Sequence, residues 1–236
     1  MRYIDVINEL DIKLYNIRCR NWIKCSFNGT GKAGHLFEYL LDKQKDRYIL
    51  PDYKCFEIKT KYINNDNGIK LFSCSFDSDP QEMKRFLNIV GYLKKDEKVY
   101  QHSINSKKGR CFDNGYIKVK VYRDSLKVKV LIYKNHTYIT SFSWSFDELK
   151  NRLYTKLKYL MIVTYDIKMI KGEFYIKYLY ANYYYLKSFD SFLHCIEEGY
   201  INISFNIKNN NGIITDKGTG FIINKDKIRE LFYLLK

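Results

Sequence analysis

The sequence predicts a mixed α/β fold, and three observations carry that prediction. Segments with apolar residues at helical spacing are interleaved with segments in which apolar and polar residues alternate one by one. Apolar residues make up 46% of the 236 and aromatic residues 17%, enough for a core in one large domain or two intimate lobes and too much for a disordered chain. No internal repeat, low-complexity tract or linker interrupts the pattern, and the main sheet is expected near the front of the chain.

Taken in order, Ile4, Ile7, Leu10 and Leu14 predict an opening helix over residues 2–17. Ser26 to Gly34 is a glycine-rich loop that feeds a helix, His35–Leu41. Its spacing is not the G-x-x-x-x-G-K of a phosphate-binding loop. A strand carrying Glu57 runs to about Tyr62, and the polar turn Asn64–Gly68 links it to a strand over Ile69–Phe76. Asp79 is the expected cap, and Pro80 the first turn, of a helix reaching Leu93. Strands are expected at 98–105, 116–122, 126–133 and 137–142, then a helix from Ser145 or Asp147 through Leu157. Residues 159–169 and 173–186 form a long antiparallel pair turned at Lys171-Gly172. A helix over Phe189–Glu198 ends at Gly199, strands follow at 200–207 and 220–223, and a helix over Lys225–Leu235 closes the chain.

The net charge of +15 favours a polyanionic partner, although a chain so crowded with Lys, Asn, Ile and Tyr owes part of its lysine surplus to base composition. The run Lys118-Val119-Lys120 with Lys127-Val128-Lys129 reads first as a solvated sheet face and second as a phosphate contact. Tyr183-Tyr184-Tyr185 reads as packing rather than base stacking. The six cysteines form no C-x-x-C pair and the four histidines are scattered, so a zinc site is not expected and the thiols read as reduced, in a cytoplasmic protein. No apolar run is long enough to span a membrane, and charges interrupt the N-terminus as no signal peptide allows.

One stretch organises the rest: Leu50-Pro51-Asp52-Tyr53-Lys54-Cys55-Phe56-Glu57-Ile58-Lys59-Thr60-Lys61. It reads P-D-x-x-x-x-E-x-K, the pattern of metal-dependent nucleases that hydrolyse phosphodiesters. On a strand Glu57 and Lys59 share one face while Phe56, Ile58 and Thr60 share the other. Asp52 lies at an odd offset from Glu57, so a turn or bulge within Tyr53-Lys54-Cys55 is required to bring it back beside Glu57. Two carboxylates so placed suit Mg²⁺, which takes few protein oxygens and keeps waters for a phosphate to displace. Lys59 beside the attacking water would offset developing negative charge. The plainer reading is a half-exposed edge strand with alternating charges.

Thr30-Gly31 through Glu38, then Pro51-Asp52 and Glu57-Ile58-Lys59, resembles the MvaI/BcnI restriction endonucleases, in the MutH-like branch of the PD-(D/E)xK nucleases. Ser143 to Leu149 and Lys156 to Leu160 resemble that family's central segment, and Gly199-Tyr200-Ile201 with Asp216-Lys217-Gly218-Thr219-Gly220-Phe221 its C-terminal segment. The resemblance implies a PD-(D/E)xK core in a two-lobed crescent with a DNA cleft: a catalytic lobe near residues 1–110 and a base-reading lobe over 111–236. It implies Mg²⁺ at Asp52 and Glu57, with Lys59 serving the water and Glu38 orienting the site or sharing a metal. It implies DNA contacts from Lys61, Asn206, Asp216, Lys217 and Thr219. Lys217 stands where the family has histidine, and Asn206 and Ile222 where it has arginines. The activity implied is that of a type II site-specific deoxyribonuclease acting as a monomer on double-stranded DNA, with no organic cofactor. A MutH-like nicking enzyme of repair and a non-catalytic DNA-binding protein on the same scaffold are the alternatives. A basic protein of unrelated function is a third, should its lysines prove scattered.

Overall fold

The computed structural model describes residues 2–42, 50–76, 80–210, 212–216 and 218–236. In chain order the elements are α1 (Tyr3–Cys19), β1 (Ile23–Cys25), α2 (Lys32–Leu40), β2 (Phe56–Tyr62), β3 (Ile69–Ser73) and α3 (Pro80–Val90). There follow β4 (Tyr92–Lys94), β5 (Glu97–Tyr100), β6 (Ser103–Ile104), β7 (Arg110–Phe112), β8 (Gly115–Tyr122), β9 (Lys127–Lys134), β10 (Thr137–Ser145) and α4 (Phe146–Leu157). The chain ends with β11 (Tyr159–Ile170), β12 (Glu173–Leu186), α5 (Phe189–Glu197), β13 (Ile201–Ser204), β14 (Ile207–Asn210), β15 (Ile213–Asp216), β16 (Gly220–Ile223), α6 (Ile228–Leu231) and β17 (Phe232–Leu234). No helix among the described residues is long and apolar enough to cross a membrane.

Backbone contacts divide the chain into two compact units. The first comprises Met1–Asn67, Tyr154–Lys187 and Phe232–Lys236; the second comprises Gly68–Leu153 and Ser188–Leu231. The first unit is built on a sheet of order β1-β12-β11-β2, with β17 on part of β12. β11 and β12 form the long hairpin expected from the sequence, and Lys171 and Gly172 both take positive φ (50° and 79°) at its two-residue turn. β2 lies parallel to β11, with Glu57 opposite Leu160 and Lys59 opposite Ile162. One face of this sheet packs Phe56, Ile58, Met161, Val163, Ile176 and Tyr178 against Val6, Ile7, Leu10 and Leu14 of α1 and Leu36 and Phe37 of α2. Each such buried side chain stabilises by roughly 1.5–3 kcal/mol relative to exposure. The hydroxyls are satisfied: Tyr178 donates to the Ala33 carbonyl at 2.7 Å and Tyr183 to Asp11 Oδ1 at 2.7 Å. Tyr183 is thus a packing residue, as expected.

The second unit carries three four-stranded sheets among its described residues: β10-β9-β8-β7, β3-β16-β13-β6 and β15-β14-β5-β4. Trp144 of β10 and Phe221 of β16 meet Phe86 of α3 and the flanking Phe76 and Phe205 in one aromatic core. Trp144 Nε1 donates to the Cys74 carbonyl at 3.1 Å.

Several expectations change. The main sheet does not lie near the front of the chain, since β11 and β12 come from residues after 158. A parallel pair needs a long crossover, and the crossover from β2 to β11 contains much of the second unit. The closing helix is replaced by a 3₁₀ turn over Lys225–Lys227, the single-turn α6 and then β17. Phe232 pairs with Leu186 on β12, so backbone at the sheet edge takes the residues that helical periodicity had claimed. The strand expected over 98–105 is two strands in different sheets, and 200–207 breaks at Phe205-Asn206. α3 stops at Val90 because Gly91 follows, where a Cβ would lie 2.3 Å from the Leu87 carbonyl oxygen. The cap expected at Asp79 lies outside the described residues. The lobe boundary drawn near residue 110 falls inside the second unit.

Candidate active site

The residues of the P-D-x-x-x-x-E-x-K stretch belong to the first unit. Tyr53 and Phe56 exchange backbone hydrogen bonds of 2.9 and 2.8 Å, closing a tight turn on Lys54 and Cys55. Lys54 adopts φ +52°, which gives the turn its hand. This is the reversal that the odd offset requires, and through it Asp52 Oδ2 accepts the Ile58 amide at 2.9 Å. The turn is tied to α1 by Tyr53, whose hydroxyl donates to Glu9 Oε1 at 2.5 Å, and by an ion pair of Lys54 with Glu9.

Glu57 is 1% exposed. Its Oε1 accepts from Lys59 Nζ at 2.5 Å and from Lys156 Nζ at 3.2 Å, whereas its Oε2 is buried with no hydrogen-bond partner. Burial, the largest influence, pushes the Glu57 carboxyl above the usual carboxylate range. The Lys59 ammonium pulls it down, the Asp52 charge raises it, and Lys156 pulls it down again. Asp52, held on the amide of Ile58 next to Glu57 in the chain, is the second carboxylate here.

A buried carboxylate oxygen without a donor, beside a second carboxylate, is the chemistry of a hard-cation site. No group of three or more His, Cys, Asp or Glu capable of holding a metal occurs among the described residues. Mg²⁺ characteristically takes one or two protein carboxylates and completes its shell with water and substrate phosphate, so the pair present fits it.

Glu38 lies on α2, one turn beyond Gly34, where a Cβ would stand 3.5 Å from Thr60 Oγ1 of β2. The helix bearing Glu38 therefore packs on the strand bearing Glu57 and Lys59. Glu38 is half-exposed, and no hydrogen bond or ion pair joins it to Asp52, Glu57 or Lys59. Lys61 is half-buried, two residues beyond Lys59 on the same face of β2.

The other expected DNA contacts belong to the second unit. Asp216 Oδ1 accepts the Gly218 amide at 2.9 Å, and its Oδ2 accepts from the hydroxyls of Thr219 at 3.0 Å and Ser75 at 2.9 Å. Thr219 is 0% exposed. Its side chain orders this loop from within, through the bond to Asp216. Gly218, at φ +97°, supplies the backbone freedom the turn needs. Asn206 is half-buried and accepts from Gln101 Nε2 at 2.9 Å through Oδ1. Lys217 lies outside the described residues.

Lys156 is the residue for which sequence reasoning found no role. It sits in the last turn of α4, immediately before β11, and nothing in its local pattern distinguishes it from other helix lysines. Only the parallel pairing of β11 with β2 brings it to Glu57.

The model of the MvaI/BcnI restriction endonuclease family matches residues 12–232. Among solved structures, the restriction endonuclease MvaI in complex with its cognate DNA substrate is 26% identical, with a TM-score of 0.87 and 96% of each chain covered. MvaI in the absence of DNA is 23% identical, with a TM-score of 0.60 over 97% of this chain and 96% of that one, a likeness of fold. A search of curated proteins finds no match. With the family's pattern running through nearly its whole length and its fold shared with MvaI, this chain belongs to the MvaI/BcnI restriction endonuclease family, the type II site-specific deoxyribonucleases.

Proposed function

We propose that the enzyme hydrolyses phosphodiester bonds of double-stranded DNA at a short specific sequence, with Mg²⁺ held by Asp52 and Glu57, leaving 5′-phosphate and 3′-hydroxyl ends. The observation that carries this reading is the buried, unpartnered Oε2 of Glu57, next to a carboxylate returned by a tight turn and flanked by two lysines. When bound, the ion would supply Lewis acidity at the scissile phosphate and a water of lowered pKa.

The chain's own residues supply the rest. Water adds to phosphorus as the bond to O3′ breaks, and negative charge builds on the non-bridging oxygens. Lys59, held on Glu57, is the ammonium at hand to meet that charge. Lys156 grips the same Oε1, so Glu57 keeps a partner when Lys59 turns toward the phosphate. Asp52 is held by the Ile58 amide, which fixes one oxygen and leaves the carboxylate aimed by backbone. Glu38 is assigned a supporting place on α2, orienting the site. Lys61 on β2 and, in the second unit, Asn206, Asp216 and Lys217 are assigned to DNA contact, Asp216 through the loop it holds.

Incubation with plasmid DNA and Mg²⁺, followed by sequencing of the ends, tests this. The expected result is cuts in both strands at one short sequence, with 5′-phosphates, and none from Glu57→Ala. Cleavage by Glu57→Ala at a rate near that of the wild type would overturn the assignment.

A further inference from the structure

The sheet β10-β9-β8-β7 buries one face, while its other face carries polar and charged side chains around a buried Leu131. Ile117 and Val119 of β8 and Val128, Val130 and Ile132 of β9 are buried, between 0% and 2% exposed. By alternation Tyr116, Lys118, Lys120 and Tyr122 of β8, and Lys127, Lys129 and Tyr133 of β9, stand on the opposite face. The register sets Lys120 directly across from Lys129, and Tyr122 across from Lys127. Like charges so paired destabilise a strand pair. Yet none of the four lysines makes an ion pair with a carboxylate among the described residues. Elsewhere the pattern is different: Lys24 meets Glu173, Lys107 meets Glu198, and Arg123 meets Asp190 and Glu197.

Tyrosine rings hold three of these ammonium groups instead. Lys120 and Lys129 lie 5.1 and 4.7 Å from the centroid of Tyr122, and Lys118 lies 5.1 Å from that of Tyr133. A cation over a ring keeps its charge and its remaining N–H donors. β10 adds Ser141 and Ser143, the latter opposite Lys129. Between residues 110 and 145 the acids are Asp113 and Asp124, both in turns. A face of aligned ammonium and hydroxyl groups that tolerates its own repulsion is suited to a row of phosphates.

We propose that this face is a sequence-independent contact surface for the phosphate backbone of duplex DNA. The proposal rests on the reading that the enzyme acts on DNA. Such contacts raise association rates and let a protein move along DNA to its site.

The test uses the full chain carrying Glu57→Ala, so that DNA stays intact, and random-sequence duplexes of about 30 base pairs as probe. Affinity is measured from 50 to 200 mM salt for three further variants: K118Q/K120Q/K127Q/K129Q, the matching quadruple arginine variant, and K24Q/K107Q/K227Q/K236Q. The last removes the same charge from lysines that already face carboxylates. Each phosphate contact contributes about 0.9 to the slope of log affinity against log salt. The glutamine variant of the face, short of four contacts, should therefore lose up to about 3.6 from that slope and at least about tenfold in affinity at the low-salt end. The arginine variant should retain both, and the paired-lysine variant should lose far less. An unchanged slope in the glutamine variant, an equal loss in the paired-lysine variant, or an arginine variant as weak as the glutamine one would each overturn the proposal. Failure of the active-site reading shows separately, as cutting of the probe by the Glu57→Ala protein in Mg²⁺.

Discussion

At the scale of residues, the site turns on one carboxylate. Glu57 carries two lysines on Oε1 and nothing on Oε2. Asp52→Ala and Glu57→Ala should each abolish cleavage in Mg²⁺ and leave binding of duplex DNA largely intact, as a gel-shift assay in Ca²⁺ would show. Lys59→Ala should lower the rate at least a hundredfold, on the order of 3 kcal/mol for loss of one preorganised charge-stabilising group. Lys156→Met should cost less, about tenfold, because it acts through Glu57, and Lys156→Arg should recover most of the rate; single-turnover kinetics decide both.

The same carboxylate makes a prediction about stability. Burial raises the folded-state pKa of Glu57 above 4.5, so the folded protein binds its proton more tightly than the unfolded chain does. The contribution of this group to stability is therefore full below pH 4.5 and is lost as pH rises through the raised folded value. Glu57→Gln has no such titration. In urea unfolding, its stability relative to the wild type should grow as pH rises above 4.5. A difference that stayed flat with pH would contradict the burial argument.

At the scale of elements, the turn at Lys54-Cys55 decides whether Asp52 reaches the strand. Lys54 at φ +52° sits where a side chain other than glycine is strained and a β-branched one more so. Replacement by Gly or by Val removes the same ion pair with Glu9, so comparing the two isolates the backbone. Lys54→Val should be about 1–2 kcal/mol less stable than Lys54→Gly. It should also cleave more slowly, because the 2.9 Å bond from Ile58 to Asp52 depends on that turn. Thermal melts and initial rates on the two variants are the measurement. The need for this turn was legible from the offset between Asp52 and Glu57 alone. The tie to α1 through Glu9 and Tyr53 was not, since it joins residues 44 apart.

At the scale of the whole molecule, the unit that holds the active site is assembled from three separated stretches of chain. The last contributes Phe232, 1% exposed and paired with Leu186 at the far end of β12. Phe232→Ala should destabilise by about 3–5 kcal/mol, as for other buried aromatic side chains. Because β12 lies next to β11, and β11 next to β2, cleavage activity should be lost in urea together with that unit's fold. Activity that persisted after the β12 signal had unfolded would show that the segments are not one cooperative body.

By itself the sequence determined what short-range physics can determine. Alternation, turn residues and periodicity placed α1, the β8–β9–β10 run, the β11–β12 hairpin with its Lys171-Gly172 turn, and the strand that aligns Glu57 with Lys59. Each of these depends on neighbours a few residues apart. Only the tertiary structure decided which strand stands beside Glu57, that Lys156 serves it, that Thr219 is buried inside its loop, and that the last residues are sheet and not helix. Those outcomes depend on which backbone edges and cavities remain for distant segments to fill, and a local pattern carries no information about that.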